Sequence, residues 1–126
     1  MAKPRKQILI VDDEPAWIKA LSHLLRNQGY KVLEASNGKD ALKALSETKP
    51  DLILSDVRMP DMNGFDFLDQ VRRTSKNAKT PVIFLSAMDD YDARKTAKDL
   101  GAADYLVKPF DEKDVLSVLS RHLHQP

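Results

Sequence analysis

The chain contains no cysteine, which excludes disulfides, thiolate chemistry and cysteine-based zinc sites. Its redox compartment is therefore left open, and a reducing cytoplasm is compatible. It also lacks an excess of either charge: 20 basic and 19 acidic residues are interspersed, leaving a formal net charge of +1. That balance leaves no electrostatic footprint for nucleic acid or an anionic membrane, so any specific partner must be recognised by a local patch. No apolar run approaches the roughly 18 residues of a membrane span. The opening Met1-Ala2-Lys3-Pro4-Arg5-Lys6 leads into an apolar strand without a signal-peptide apolar region. These absences predict a soluble, cytoplasmic protein that binds neither nucleic acid nor membrane directly. Nor is there a Gly-x-x-x-x-Gly-Lys loop, which argues against ordinary nucleotide cradling.

What is present is enough apolar residue for one core: 126 residues, 42% of them hydrophobic. A single domain over 1–126 is expected, with its core at about 7–123 and short termini such as Gln125-Pro126 serving as linker. Ile8 to Val11, Leu52 to Leu54 and Val82 to Leu85 are short and uniformly apolar, as buried strands of a parallel sheet are. Tyr30 to Ala35 and Asp104 to Val107 are weaker strands. Between them lie helical patterns. Pro15 suits a first turn, and Trp17, Leu21, Leu24 and Leu25 recur at helical spacing until Gly29. Ala41, Leu42 and Leu45 mark a second helix ended by Pro50, and Phe67, Leu68 and Val71 a third. A mostly polar fourth runs from about Asp90 to Leu100 and stops at Gly101. The fifth begins near Asp111, a capping residue, and carries Leu116, Leu119 and Leu123 on one stripe. Strand and helix alternating with short connections predict an α/β doubly wound parallel sheet of five strands with five helices. Periodicity does not give the strand order.

Polar residues close these strands. Asp12 and Asp13 follow the first, Asp56 closes the third, Ser86 the fourth, and Lys108-Pro109 the fifth. In a parallel α/β sheet the carboxyl ends of the strands form the ligand crevice, so these side chains should converge there. A lone Asp at a strand end is ordinarily a cap or turn residue; five such positions together are not. Three clustered carboxylates repel one another unless a proton or cation intervenes. A hard divalent ion such as Mg²⁺, which prefers oxygen ligands and pairs carboxylates with phosphate oxygens, is the simplest remedy.

Asp12-Asp13, Asp56-Val57-Arg58-Met59-Pro60 with Asn63-Gly64, Ser86-Ala87, and the run Gly101 to Phe110 resemble the receiver domain of bacterial two-component response regulators across nearly the whole chain. The resemblance implies a flavodoxin-like fold with strand order 2-1-3-4-5. It implies that Asp56 accepts a phosphoryl group from the phosphohistidine of a sensor histidine kinase or phosphotransfer protein. Asp12, Asp13, Asp56 and the backbone carbonyl of Arg58 would hold Mg²⁺, with Mn²⁺ as an alternative. Lys108 and the backbone N–H of Ala87 would contact the phosphoryl group, with the Lys108-Pro109 bond cis. Ser86, where many members have Thr, and Tyr105 would form the switch that changes the face of helix four, strand five and helix five. Arg58 and Met88 would tune the lifetime of the acyl phosphate. Downstream, an effector protein or a fused output domain would read that face.

The chain is thus expected to be a signalling phosphoacceptor rather than an enzyme, with phosphorylation from small donors and slow self-dephosphorylation. A Mg²⁺-dependent aspartyl phosphatase or phosphotransferase is the enzymatic alternative. Such an enzyme usually needs a cap and a second acid two residues after the nucleophile, where this chain has Arg58. A degenerate, docking-only receiver is the other, although every chemical position is occupied. The remaining candidates read as ordinary: His23, His122 and His124 as exposed, Asp92, Arg94, Lys95, Lys98 and Asp99 as a solvated helix face, Trp17 as packing, and Gly64 as a turn or helix start.

Overall fold

The computed structural model describes residues 5–87 and 91–123. Strand and helix alternate throughout: β1 (Gln7–Val11), α1 (Pro15–Asn27), β2 (Lys31–Ala35), α2 (Gly38–Glu47), β3 (Leu52–Asp56), α3 (Gly64–Arg73), β4 (Val82–Ser86), α4 (Tyr91–Asp99), β5 (Asp104–Val107) and α5 (Glu112–His122). All neighbouring strands are parallel, in the order β2-β1-β3-β4-β5. The chain reverses its direction of winding between β1 and β3, so the crevice opens above the carboxyl ends of those two strands. Asp12, Asp13 and Asp56 stand there. The expected origin of α4 at Asp90 falls outside the described residues, as do Met88, His124 and the Gln125-Pro126 tail.

The central strands are apolar on both sides because both faces are covered. Alternate residues divide cleanly between two cores. Ile8, Ile10, Leu52, Leu54, Ile83, Leu85 and Leu106 pack with Leu21 and Leu25 of α1 and Val115, Val118 and Leu119 of α5. Leu9, Val11, Ile53, Val82 and Phe84 pack with Ala41 and Leu45 of α2, Phe67, Leu68 and Val71 of α3, and Ala97 of α4. Each fully buried Leu, Ile or Phe contributes roughly 1.5–3 kcal/mol relative to exposure. The fifth helix buries Val115, Val118 and Leu119 with Leu123, while Leu116 of the expected stripe is only partly buried.

Helix ends follow local chemistry. The Asn37, Asn63 and Asp111 side chains accept from the N–H groups of Asp40, Asp66 and Asp114, so α2, α3 and α5 start where those residues stand. Gly29 and Gly101 stop α1 and α4 at φ of 94° and 89°, a region that glycine enters without strain. α4 buries only Ala93 and Ala97, in keeping with its polar sequence.

Candidate functional site

Three side chains extend one face of the sheet past its carboxyl edge. Asp12, Asp56 and Lys108 each follow by two residues a member of the α1/α5 core, namely Ile10, Leu54 and Leu106. Alternation therefore carries them to the side covered by α1. Lys108 Nζ lies 2.7 Å from Asp12 Oδ2 and 3.4 Å from Asp56 Oδ2, and its side chain is only 7% exposed. The Lys108-Pro109 bond is cis, as the resemblance implied. Asp12 is wholly buried; its other oxygen accepts from the N–H of Glu14 at 2.9 Å, tying the carboxylate to the start of α1.

Asp56 is also buried, and its Oδ1 accepts from the N–H of Val57 at 2.7 Å. Desolvation by burial raises its pKa, Lys108 opposes that rise, Asp12 adds to it, and the hydrogen bonds from Lys108 and the Val57 N–H lower it; the net shift is upward. Within the cluster two buried carboxylates, Asp12 and Asp56, face a single lysine. Asp13 supplies a third, solvent-exposed carboxylate, and one oxygen from each of Asp12, Asp13 and Asp56 lies within 4.8 Å of the others. An all-oxygen set with surplus negative charge fits a hard divalent cation. Asp13 and Arg58 line an open cleft of about 500 Å³ beside Asp56, which gives that side of the site access to water and substrate.

The loop from β3 to α3 is pressed against the acceptor strand. The Gly64 N–H donates to the Val57 carbonyl at 2.7 Å, and a Cβ at Gly64 would stand 2.4 Å from the Asp56 carbonyl oxygen. Gly64 is the first residue of α3, as expected, and its lack of a side chain allows that approach.

Ser86 ends β4, buried, with its carbonyl accepting from the Lys108 N–H at 2.8 Å, and the exposed Ala87 follows it. Ser86 pairs with Val107 and Phe84 with Tyr105. Ser86 and Tyr105 therefore lie diagonally on one face of adjacent strands, the face that carries Phe84. Tyr105 is partly buried, with the Arg94 guanidinium 5.2 Å from its ring centroid.

Three features were missed by sequence reasoning. Trp17, expected to be a packing residue, is partly buried and does pack on Phe110 with 4.9 Å between ring centroids, but its ring also lies 4.9 Å from Lys108 Nζ. The signal was available, since α1 follows β1 and its first turn must sit at the crevice. Arg94 belongs to the expected solvated face of α4 yet stacks on Tyr105, while Lys95 and Asp99 pair with each other at 2.8 Å. His122, expected to be exposed, is partly buried with Nε2 3.0 Å from Asp104 Oδ2; His23 is exposed as expected. Sequence distance hid the His122 contact, because β5 and α5 bring the two residues together across the Lys108 turn.

Comparison with known proteins agrees with this geometry. The family model described as response regulator receiver domain matches residues 8–120. The Pseudomonas aeruginosa protein PilH is 37% identical over 114 residues, covering 90% of this chain and 94% of PilH. The transcriptional regulators among the curated relatives are longer, and the chain spans 42% to 50% of their length. The Vibrio cholerae chemotaxis protein CheY4 superposes with a TM-score of 0.92 at 36% identity, over 95% of this chain and all of CheY4. A receiver domain of a Pseudomonas aeruginosa sensor histidine kinase, solved with a magnesium ion coordinated in its active-site cleft, gives 0.86 at 28% identity over 94% of this chain and 98% of that one. With the sheet order, the carboxylate cluster and a match over most of the sequence in agreement, the chain belongs to the response regulator receiver domain family, the phosphoacceptor switches of two-component signalling.

Proposed function

We propose that Asp56 is the phosphorylated residue and that the chain relays its state through the face formed by α4, β5 and α5. The observation that carries this reading is the buried Asp56 carboxylate beside the Lys108 ammonium at the carboxyl edge of β3. An Asp56 oxygen attacks the phosphorus of a phosphohistidine on a sensor histidine kinase or phosphotransfer protein. The P–N bond breaks, its electron pair leaves with the imidazole, and an acyl phosphate remains on Asp56. Lys108 turns from Asp12 toward the new phosphoryl oxygens, and the Ser86 hydroxyl and Ala87 N–H donate to others. Asp12, Asp13, Asp56 and the backbone carbonyl of Arg58 would hold Mg²⁺, or Mn²⁺ in its place. When bound, the ion neutralises charge on the phosphoryl oxygens during in-line transfer.

The Ser86 hydroxyl, drawn toward the phosphoryl group, vacates space on the face it shares with Tyr105, and the tyrosine ring turns inward. Phosphate biases this two-state equilibrium because it interacts better with the inward state. A downstream effector or a fused output domain reads the altered surface. We take 1–126 as one receiver domain working in the cytoplasm; no described helix is long and apolar enough to cross a membrane. Transfer from small phosphodonors and slow self-dephosphorylation, with Arg58 and Met88 setting the lifetime, complete the cycle; Met88 lies outside the described residues.

Acetyl phosphate with Mg²⁺ should add one phosphoryl group to the intact protein, and hydroxylamine should remove it, as it cleaves acyl phosphates. An adduct that survives hydroxylamine would place the phosphate on a hydroxyl and refute Asp56. Coupling is tested by amide hydrogen exchange. Phosphorylation should alter exchange from Tyr91 to Leu100 and at Tyr105, and Ser86→Ala should shrink that response while Asp56 still accepts phosphate. A response confined to the carboxylate cluster, or undiminished in Ser86→Ala, would contradict the route through Ser86 and Tyr105.

A further inference from the structure

We propose that Trp17 is a positioning residue for Lys108, holding its ammonium against the face of the indole ring during phosphoryl transfer. The inference rests on Asp56 being the acceptor. Lys108 Nζ lies 4.9 Å from the Trp17 ring centroid while Asp12 and Asp56 face it at 2.7 and 3.4 Å. The cation is thus enclosed by two carboxylates and an aromatic face. Phe110, two residues beyond Lys108, packs on the indole at 4.9 Å between centroids with the planes tilted by 42°. The segment that delivers the lysine therefore also braces the ring that receives it.

A π face suits this lysine better than a third carboxylate would. The attraction of an ammonium to the ring quadrupole is electrostatic and strengthens when water is excluded, as it is around this nearly buried side chain. It is weakly directional, so Nζ can swing from Asp12 toward phosphoryl oxygens and keep its aromatic neighbour. A carboxylate in the same place would pin the lysine and add negative charge where a phosphoryl group must enter. An apolar residue that only filled space would leave the ammonium without that attraction.

Phenylalanine and leucine at position 17 separate the two roles, because both fill space and only phenylalanine presents a π face. With acetyl phosphate and Mg²⁺, Trp17→Leu should slow phosphorylation of Asp56 by about three- to tenfold, and Trp17→Phe by no more than about twofold. Equal rates in the two variants would overturn the inference. Failure of the wild-type protein to label at Asp56 would instead overturn the acceptor assignment. A second readout needs neither phosphate nor metal nor a change at position 17. Trp17 is the chain's single tryptophan, so its fluorescence reports the contact directly. In chelator, Lys108→Met should change the emission intensity, whereas Lys19→Met, at an exposed position on the same helix, should not. Unchanged emission in Lys108→Met would show that the ammonium does not sit on the ring.

Discussion

Asp56→Asn is expected to raise the melting temperature of the metal-free protein at neutral pH, and the gain should vanish toward acid. Burial raises the pKa of Asp56 in the folded chain. The folded state then holds this proton more tightly than the unfolded state does. Its stabilising effect is complete below the ordinary aspartate range and is lost as pH rises through the elevated folded value. Above the ordinary aspartate range the buried carboxyl is therefore a cost, which asparagine removes while keeping the shape. A gain on the order of 1 kcal/mol would lift the melting temperature by about 3–6 °C in a domain of this size. Melting both proteins in chelator across pH isolates the effect, since the other carboxylates are common to both. A difference that stays flat, or shrinks as pH rises, would contradict the raised pKa.

Asp13→Ala should abolish the stabilisation that Mg²⁺ confers. Ligand binding to the folded state alone contributes about 1.4 kcal/mol at ten times the dissociation constant. In the wild-type chain this corresponds to a rise of about 4–8 °C on adding Mg²⁺ at matched ionic strength. Asp13 is the exposed member of the three-carboxylate cluster and the one that also lines the open cleft. Its removal leaves the buried Asp12 and Asp56 in place, so the fold is retained and in chelator gains stability from the loss of a repelling charge. A full Mg²⁺ shift in Asp13→Ala would move the cation elsewhere.

The sequence exposed the site more completely than the surfaces around it. Asp12, Asp13, Asp56, Ser86 and Lys108 were legible because each ends an apolar run, and parallel strands align such ends on one edge. Strand order was not, since uniformly apolar strands such as Ile8 to Val11 carry no signal for their neighbours; family resemblance supplied it. The same uniformity concealed which residues face α1 and α5 and which face α2 and α3, a division that requires the register. Trp17 against Lys108, Arg94 over Tyr105 and His122 beside Asp104 all join residues distant in sequence through helix docking. Composition labels such side chains as packing or solvated charge. Only the angle at which a helix lies on the sheet shows what they touch.

Phosphoryl transfer to Asp56 is the central claim, and intact-mass measurement of the wild-type chain and Asp56→Asn tests it most directly. Both are incubated side by side with acetyl phosphate and Mg²⁺. The wild-type protein should gain one phosphoryl group and Asp56→Asn none. Equal labelling of both would contradict the assignment and move the acceptor to another residue.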